Sequence, residues 1–112
     1  MYYVSKRLEV SAAHRLSLSY ESKCASLHGH NWIITVHCRA KELNADGMIA
    51  DFTHIKELIT GKLDHNVLND VLPFNPTAEN LARWVVDSIP TCYRAEVQES
   101  EGNIAAYEED DK

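Results

Sequence analysis

Apolar and polar residues alternate along residues 3–14, where Val4, Leu8, Val10, Ala12 and His14 share one parity and Ser5, Arg7, Glu9 and Ser11 take the other. Period two is the signature of a strand with one buried face, and it places His14 at the end of that face. The same period returns over residues 28–40. His28, His30, Trp32, Ile34, Val36, Cys38 and Ala40 fall on one side, and Asn31, Thr35, His37 and Arg39 on the other. Between the strands and the C-terminal third the period changes to that of helices. Residues 52–63 put Phe52, Ile55, Leu58, Ile59 and Leu63 on one stripe, with Gly61 weakening the last turn and His54 on the polar side. Residues 77–89 read as the stronger helix. Thr77 can cap it, Glu79 suits its first turn, Ala78, Leu81, Ala82, Val85, Val86 and Ile89 form its stripe, and Pro90 stops it. Period two then resumes with Tyr93, Ala95, Val97 and Glu99, and a turn at Glu101–Gly102 leads to a last short strand over residues 103–107. The order ββααββ predicts an α+β fold, an antiparallel sheet with both helices on one face and edges that call for partners.

Length and composition narrow the picture. A chain of 112 residues is read as one domain, 1–112, small enough that assembly is expected to cover part of its apolar surface. Residues 108–112 form an acidic tail expected to be frayed and solvated. No apolar run is long enough for a membrane span, and the first residues, MYYVSKRLEV, carry no secretory signal, so a cytoplasmic location is expected. The three cysteines, Cys24, Cys38 and Cys92, form no disulfide framework. A net charge of −6 argues against nucleic acid as a partner, since phosphate contacts need a basic stripe.

Parity also sorts the six histidines. His14, His28 and His30 lie on the apolar faces of two strands that can pair as neighbours. Three converging imidazoles match the protein shell of a catalytic Zn²⁺ site whose fourth position stays open. The plainer reading is hydrogen-bonded core histidines and an accidental H-x-H spacing. His37 and His54 fall on polar faces and read as solvated. Cys24 sits in a loop beside Lys23; near a metal and a lysine it can serve as a thiolate base or nucleophile, and the alternatives are a fourth ligand or an inert thiol. Asp64 directly precedes His65, a doublet able to act as a proton shuttle whose carboxylate orients the imidazole. Glu99 is a carboxylate in phase with Tyr93, Ala95 and Val97. A ligand with two adjacent N–H donors would satisfy it, unless the strand ends there and Glu99 is simply wet.

With these motifs in order, the chain resembles the 6-pyruvoyl-tetrahydropterin synthase / 6-carboxy-tetrahydropterin synthase superfamily, which has the tunnelling fold. The resemblance runs through SAAHRL, CASLHGHNW, GMIADF, LDHNVLN, NPTAEN and ESEGNIAAY and spans nearly the whole chain. It implies Zn²⁺ as cofactor on His14, His28 and His30, Cys24 as the catalytic thiolate, and Asp64 and His65 as the proton relay. It further implies Glu99 as the anchor for the 2-amino and N3 edge of a pterin, with Thr77 beside that edge. Ser100 departs from the threonine that commonly follows the glutamate in the family.

Only three residues separate Cys24 from His28, the short spacing similar to that of 6-carboxy-5,6,7,8-tetrahydropterin synthases, whereas pyruvoyl-forming members typically carry a longer insert. The activity the resemblance implies is therefore conversion of 7,8-dihydroneopterin triphosphate to 6-carboxytetrahydropterin, acetaldehyde and triphosphate, a step toward queuosine and other 7-deazapurines. A 6-pyruvoyl-tetrahydropterin synthase is the sister alternative, and a non-catalytic zinc-stabilised module, with Cys24 as fourth ligand, is the alternative of another class. An acidic chain that takes a triphosphate needs local cations, and Lys23, Arg15 and Arg7 are available. The resemblance also implies trimeric barrels stacked into a homohexamer, closing the open edges, with no nucleic-acid or membrane partner.

Overall fold

The thirteen alternating residues Tyr2–His14 form β1, and His28–Ala40 form β2, paired antiparallel in unbroken register from Tyr2 opposite Ala40 to His14 opposite His28. The computed structural model describes residues 1–112. Asp51 caps the helix α1, Phe52–Leu63, its carboxylate accepting from the Thr53 amide at 2.8 Å. A two-residue strand β3, Asn66–Val67, and a single-turn helix α2, Leu68–Val71, follow. Helix α3, Ala78–Ser88, leads to β4, Cys92–Ser100, and β5, Asn103–Glu108. The sheet order is β3-β1-β2-β4-β5.

The α+β class and the two hairpins match expectation, but the sheet has a fifth strand and the chain a third helix. β3 runs parallel to β1, with Ala12 opposite Asn66 and Ala13 opposite Val67. The turn that makes this possible lies at His65, whose φ of 59° is in the left-handed region that non-glycine residues seldom adopt. Its amide donates to the Ser11 carbonyl at 2.7 Å, and the Ser11 amide donates to Asp64 Oδ1 at 2.9 Å, so the doublet is clamped to the edge of β1. Two residues and one helical turn are too short to show a period, which is why the alternation over the rest of the chain gives no sign of them.

The core lies between one sheet face and the helices. Leu8, Val10, Trp32, Ile34, Val36, Ala95 and Val97 from the strands meet Ile55, Ile59 and Leu63 of α1 and Leu81, Ala82, Val85 and Val86 of α3. Phe52 and Leu58, predicted on the buried stripe, are instead 47% and 40% exposed. Only the i, i+4, i+8 line through Ile55, Ile59 and Leu63 meets the sheet, and the other two flank it.

The opposite sheet face carries no helix and packs its own side chains. Arg39 lies 4.2 Å over the Tyr93 ring, and His37, expected to be solvated, is half-buried with Nε2 covered, 3.7 Å from a Glu96 carboxylate oxygen. The acidic tail, expected to fray, folds back in the structure. Glu109 donates its amide to the Tyr93 carbonyl, Arg39 reaches the carbonyls of Asp110 and Lys112, and Lys112 Nζ donates to the Val86 and Ile89 carbonyls at the end of α3. That placement suits a cation at a helix C-terminus. No helix is long and apolar enough to cross a membrane.

Candidate functional site

The β1–β2 register sets His14 directly opposite His28, with His30 two residues along on the same face. One ligand atom from each of the three imidazoles lies within 4.8 Å of the others. Backbone carbonyls fix two of the rings. His14 Nδ1–H donates to the Pro76 carbonyl at 2.8 Å, and His28 Nδ1–H to the Ser26 carbonyl at 2.7 Å. A carbonyl only accepts, so Nδ1 must carry the proton and Nε2 of each neutral ring presents a lone pair. Trp32 floors the group, its ring edge-to-face with His14 at 4.8 Å and with His30 at 5.3 Å, while its indole N–H donates to the Ala12 carbonyl.

Burial pushes the His14 imidazole below its ordinary pKa, with the Pro76 carbonyl opposing and the neighbouring His28 and His30 reinforcing the shift. Burial likewise lowers His30, against the pull of Glu99. Neutral rings are what a metal requires. The Nε2 atoms of His14 and His30 are buried without any hydrogen-bond partner. The Glu99 carboxylate lies 3.8 and 3.5 Å from those two nitrogens without hydrogen-bonding either. Three clustered imidazole nitrogens with a carboxylate beside them form a set that suits a cation, and all-imidazole donors suit Zn²⁺ among the common divalent ions. The residues therefore fit a metal.

A cavity of about 540 Å³ opens on this group, lined by Lys23, Cys24, His28, His30, Glu99, Ser100 and Asn103. Cys24 is half-buried on a single 3-10 turn, Lys23–Ala25, held by the Ser22 hydroxyl, which accepts from the Cys24 amide at 3.1 Å. The short spacing to His28 brings the thiol to the same wall as the histidines. Glu99 lies on the face of β4 that carries the buried Ala95 and Val97, and it lines the cavity. Its side chain is 26% exposed, so Glu99 is not simply wet.

Asp64 and His65 stand elsewhere on the chain. Asp64 Oδ2 is 3.0 Å from His65 Nδ1, and the Ser11 amide, foremost, holds the Asp64 carboxyl below its ordinary pKa, with His65 adding to it. His65 is 81% exposed and lines a second cavity, of about 520 Å³, with Ser11, Asn31 and Asn66. Cys24 and Glu99 do not line it; His30 alone borders both. Thr77 caps α3, its hydroxyl accepting from the Asn80 amide at 3.1 Å, while Ala78 and Glu79 flank Glu99 from a separate recess.

Sequence reasoning missed Pro76, Ser26, Ser11 and Asn103. The first three act through backbone groups, which leave no residue-type signal, and Asn103 is placed only by the β4–β5 turn.

The family model described as 6-pyruvoyl tetrahydropterin synthase matches residues 3–110. A Synechocystis protein named 6-carboxy-5,6,7,8-tetrahydropterin synthase is 32% identical, over 96% of this chain and 93% of its own. A Dictyostelium discoideum 6-pyruvoyl tetrahydrobiopterin synthase is 31% identical over 93% of each. Among solved structures, Caenorhabditis elegans 6-pyruvoyl tetrahydropterin synthase superposes with a TM-score of 0.76 at 26% identity, over 96% of this chain and 94% of that one. The chain thus belongs to the 6-pyruvoyl tetrahydropterin synthase family.

Proposed function

We propose that the protein is a zinc-dependent 6-carboxy-5,6,7,8-tetrahydropterin synthase that acts on 7,8-dihydroneopterin triphosphate and releases acetaldehyde and triphosphate. The observation that carries this reading is the joining, in one cavity, of an orphaned imidazole group, a thiol and a carboxylate. His14, His28 and His30 would hold the metal, which would supply Lewis acidity toward the hydroxyls of the pterin side chain. Glu99 accepts two N–H groups from the pterin edge, orienting the ring so that its side chain points at Cys24. The Cys24 thiolate takes a proton from the acidified side-chain carbon. His65, oriented by Asp64 through Nδ1, returns a proton at another position. Because His65 opens on a different cavity from Cys24 within one chain, the relay comes from a neighbouring copy. Lys23 is the one lysine or arginine on the wall of the Cys24 cavity and faces the anionic end of the substrate.

Relatives of both names are about equally similar to this chain, so identity does not separate the two outcomes. The short spacing from Cys24 to His28 supports the carboxy-forming one. In that reaction the second carboxylate oxygen comes from water as the side chain is cut. The test is incubation of the zinc-loaded protein with 7,8-dihydroneopterin triphosphate and mass identification of the products. 6-Carboxytetrahydropterin with acetaldehyde is expected. 6-Pyruvoyltetrahydropterin would assign the sister activity, and bound zinc with no turnover would leave a structural zinc module. A role in queuosine formation follows from the expected product.

A further inference from the structure

Two cysteines lie outside the pterin cavity and take no part in the proposed chemistry. Cys38 of β2 and Cys92 of β4 are partners across the antiparallel ladder, at the irregularity that follows His37, and both are fully buried. Facing residues of such a ladder have Cα atoms about 4.5–5.5 Å apart, inside the range of about 4.4–6.8 Å that a disulfide spans. The Cys92 thiol donates to the Arg94 carbonyl at 3.3 Å.

We propose that Cys38 and Cys92 are an oxidisable dithiol that closes to a cross-strand disulfide on reaction with a hydroperoxide, tying β2 to β4. Their surroundings divide the labour. Hydrogen bonding from Cys92, first, and from Thr91, together with the nearby Lys112 ammonium, lowers the Cys38 thiol against burial, and the Lys112 charge favours Cys38 as the nucleophile. Cys92 is pushed up, by its bond to Cys38 foremost and by burial, and keeps its proton. A groove of about 260 Å³ is bounded by Ile55, Leu58, Ile89, Pro90 and Thr91, the residue next to Cys92 in the chain.

The step balances. The Cys38 thiolate attacks one peroxide oxygen, the O–O bond breaks, and the alkoxide takes up the proton Cys38 gave away, leaving a sulfenic acid on Cys38. The Cys92 sulfur then attacks that sulfur, the S–S bond forms, and hydroxide leaves with the Cys92 proton as water. Two thiols are oxidised and one peroxide is reduced.

The test uses the Cys24→Ser protein, which removes the third thiol, treated while folded with excess tert-butyl hydroperoxide. Thiols titrated after unfolding should fall from two to none, the intact mass should drop by two hydrogens, and a non-reducing digest should yield one peptide pair joining Cys38 to Cys92. Dithiothreitol should restore both thiols. A Cys92→Ala version should instead accumulate sulfenic acid on Cys38, trapped by dimedone. Two thiols still free after treatment, or a mass gain of oxygen with no cross-linked pair, would overturn the proposal. These readouts are independent of pterin turnover.

Discussion

His14 is the residue around which the site is built, fully buried and with one ring nitrogen committed to the Pro76 carbonyl. Its other nitrogen has no partner in the chain, so its removal should be read in metal content before stability. His14→Ala, His28→Ala and His30→Ala should each lose most of a stoichiometry of about one Zn²⁺ per chain, whereas His54→Ala should retain it. Cys24→Ala should keep its metal and lose turnover by at least ~100-fold, the scale expected for a proton-transfer group. Atomic absorption on the purified variants checks the first statement and a coupled pterin assay the second. The pH dependence follows from the lowered imidazoles. In the metal-free fold His14 and His30 stay neutral below their ordinary 6.5, while the unfolded chain takes up protons there. The unfolded state therefore binds more protons as pH falls through 6.5, and stability falls with it. Urea midpoints of chelator-treated protein should decline from about pH 8 to about pH 5, and added zinc should oppose the decline near neutrality. The three histidines were legible because a period of two has a definite parity. Pro76 was not, because any residue type supplies a carbonyl.

At the scale of elements, α3 shows how a helix start serves a site it does not enter. Thr77 caps the helix, and the residue before it presents the carbonyl that fixes His14. Thr77→Ala should cost about 1 kcal/mol of folding stability, and Thr77→Ser should recover most of it. Because the cap also positions Pro76, zinc affinity of Thr77→Ala should fall by up to ~10-fold, the lower end of what losing a ligand's hydrogen-bonding partner costs. Denaturant titration and competition with a zinc chelator measure the two effects. This helix was readable in full, from its cap to Pro90, because a stripe of six apolar residues repeats over three turns. α1 was readable in outline, since Phe52 and Leu58 are apolar without being buried, and hydrophobicity alone does not say which flank of a stripe a sheet will cover. β3 was invisible: its pairing rests on the left-handed backbone of His65 and on two hydrogen bonds to Ser11, none of which alternation encodes.

The whole molecule is a long sheet, in a body of 50 × 26 × 26 Å, with helices on one face and the other bare. Residues 2–10 of β1 and the outer side of β5 are unpaired edges. Closing copies edge to edge would remove them and bring one chain's Asp64 and His65 toward another's Cys24. Light scattering should give about 76 kDa for a hexamer of the 12.7 kDa chain, or about 38 kDa for a trimer. Mixing inactive Cys24→Ala chains with inactive His65→Ala chains should restore part of the activity; every mixture staying inactive would mean that each chain holds its own relay. β3 bears on how such edges can be used. A strand laid along β1 runs out of free hydrogen-bonding groups at Ser11, whose amide and carbonyl are already taken by Asp64 and His65 just ahead of β3. The edge therefore ends in a doorstop. A docking strand cannot slide past it toward the histidines, and a slip of one residue the other way would turn its side chains to the wrong face. Two residues too short to be seen in the sequence thus limit the length of any added strand, whether it comes from a correct neighbour or from a chain on its way to an aggregate.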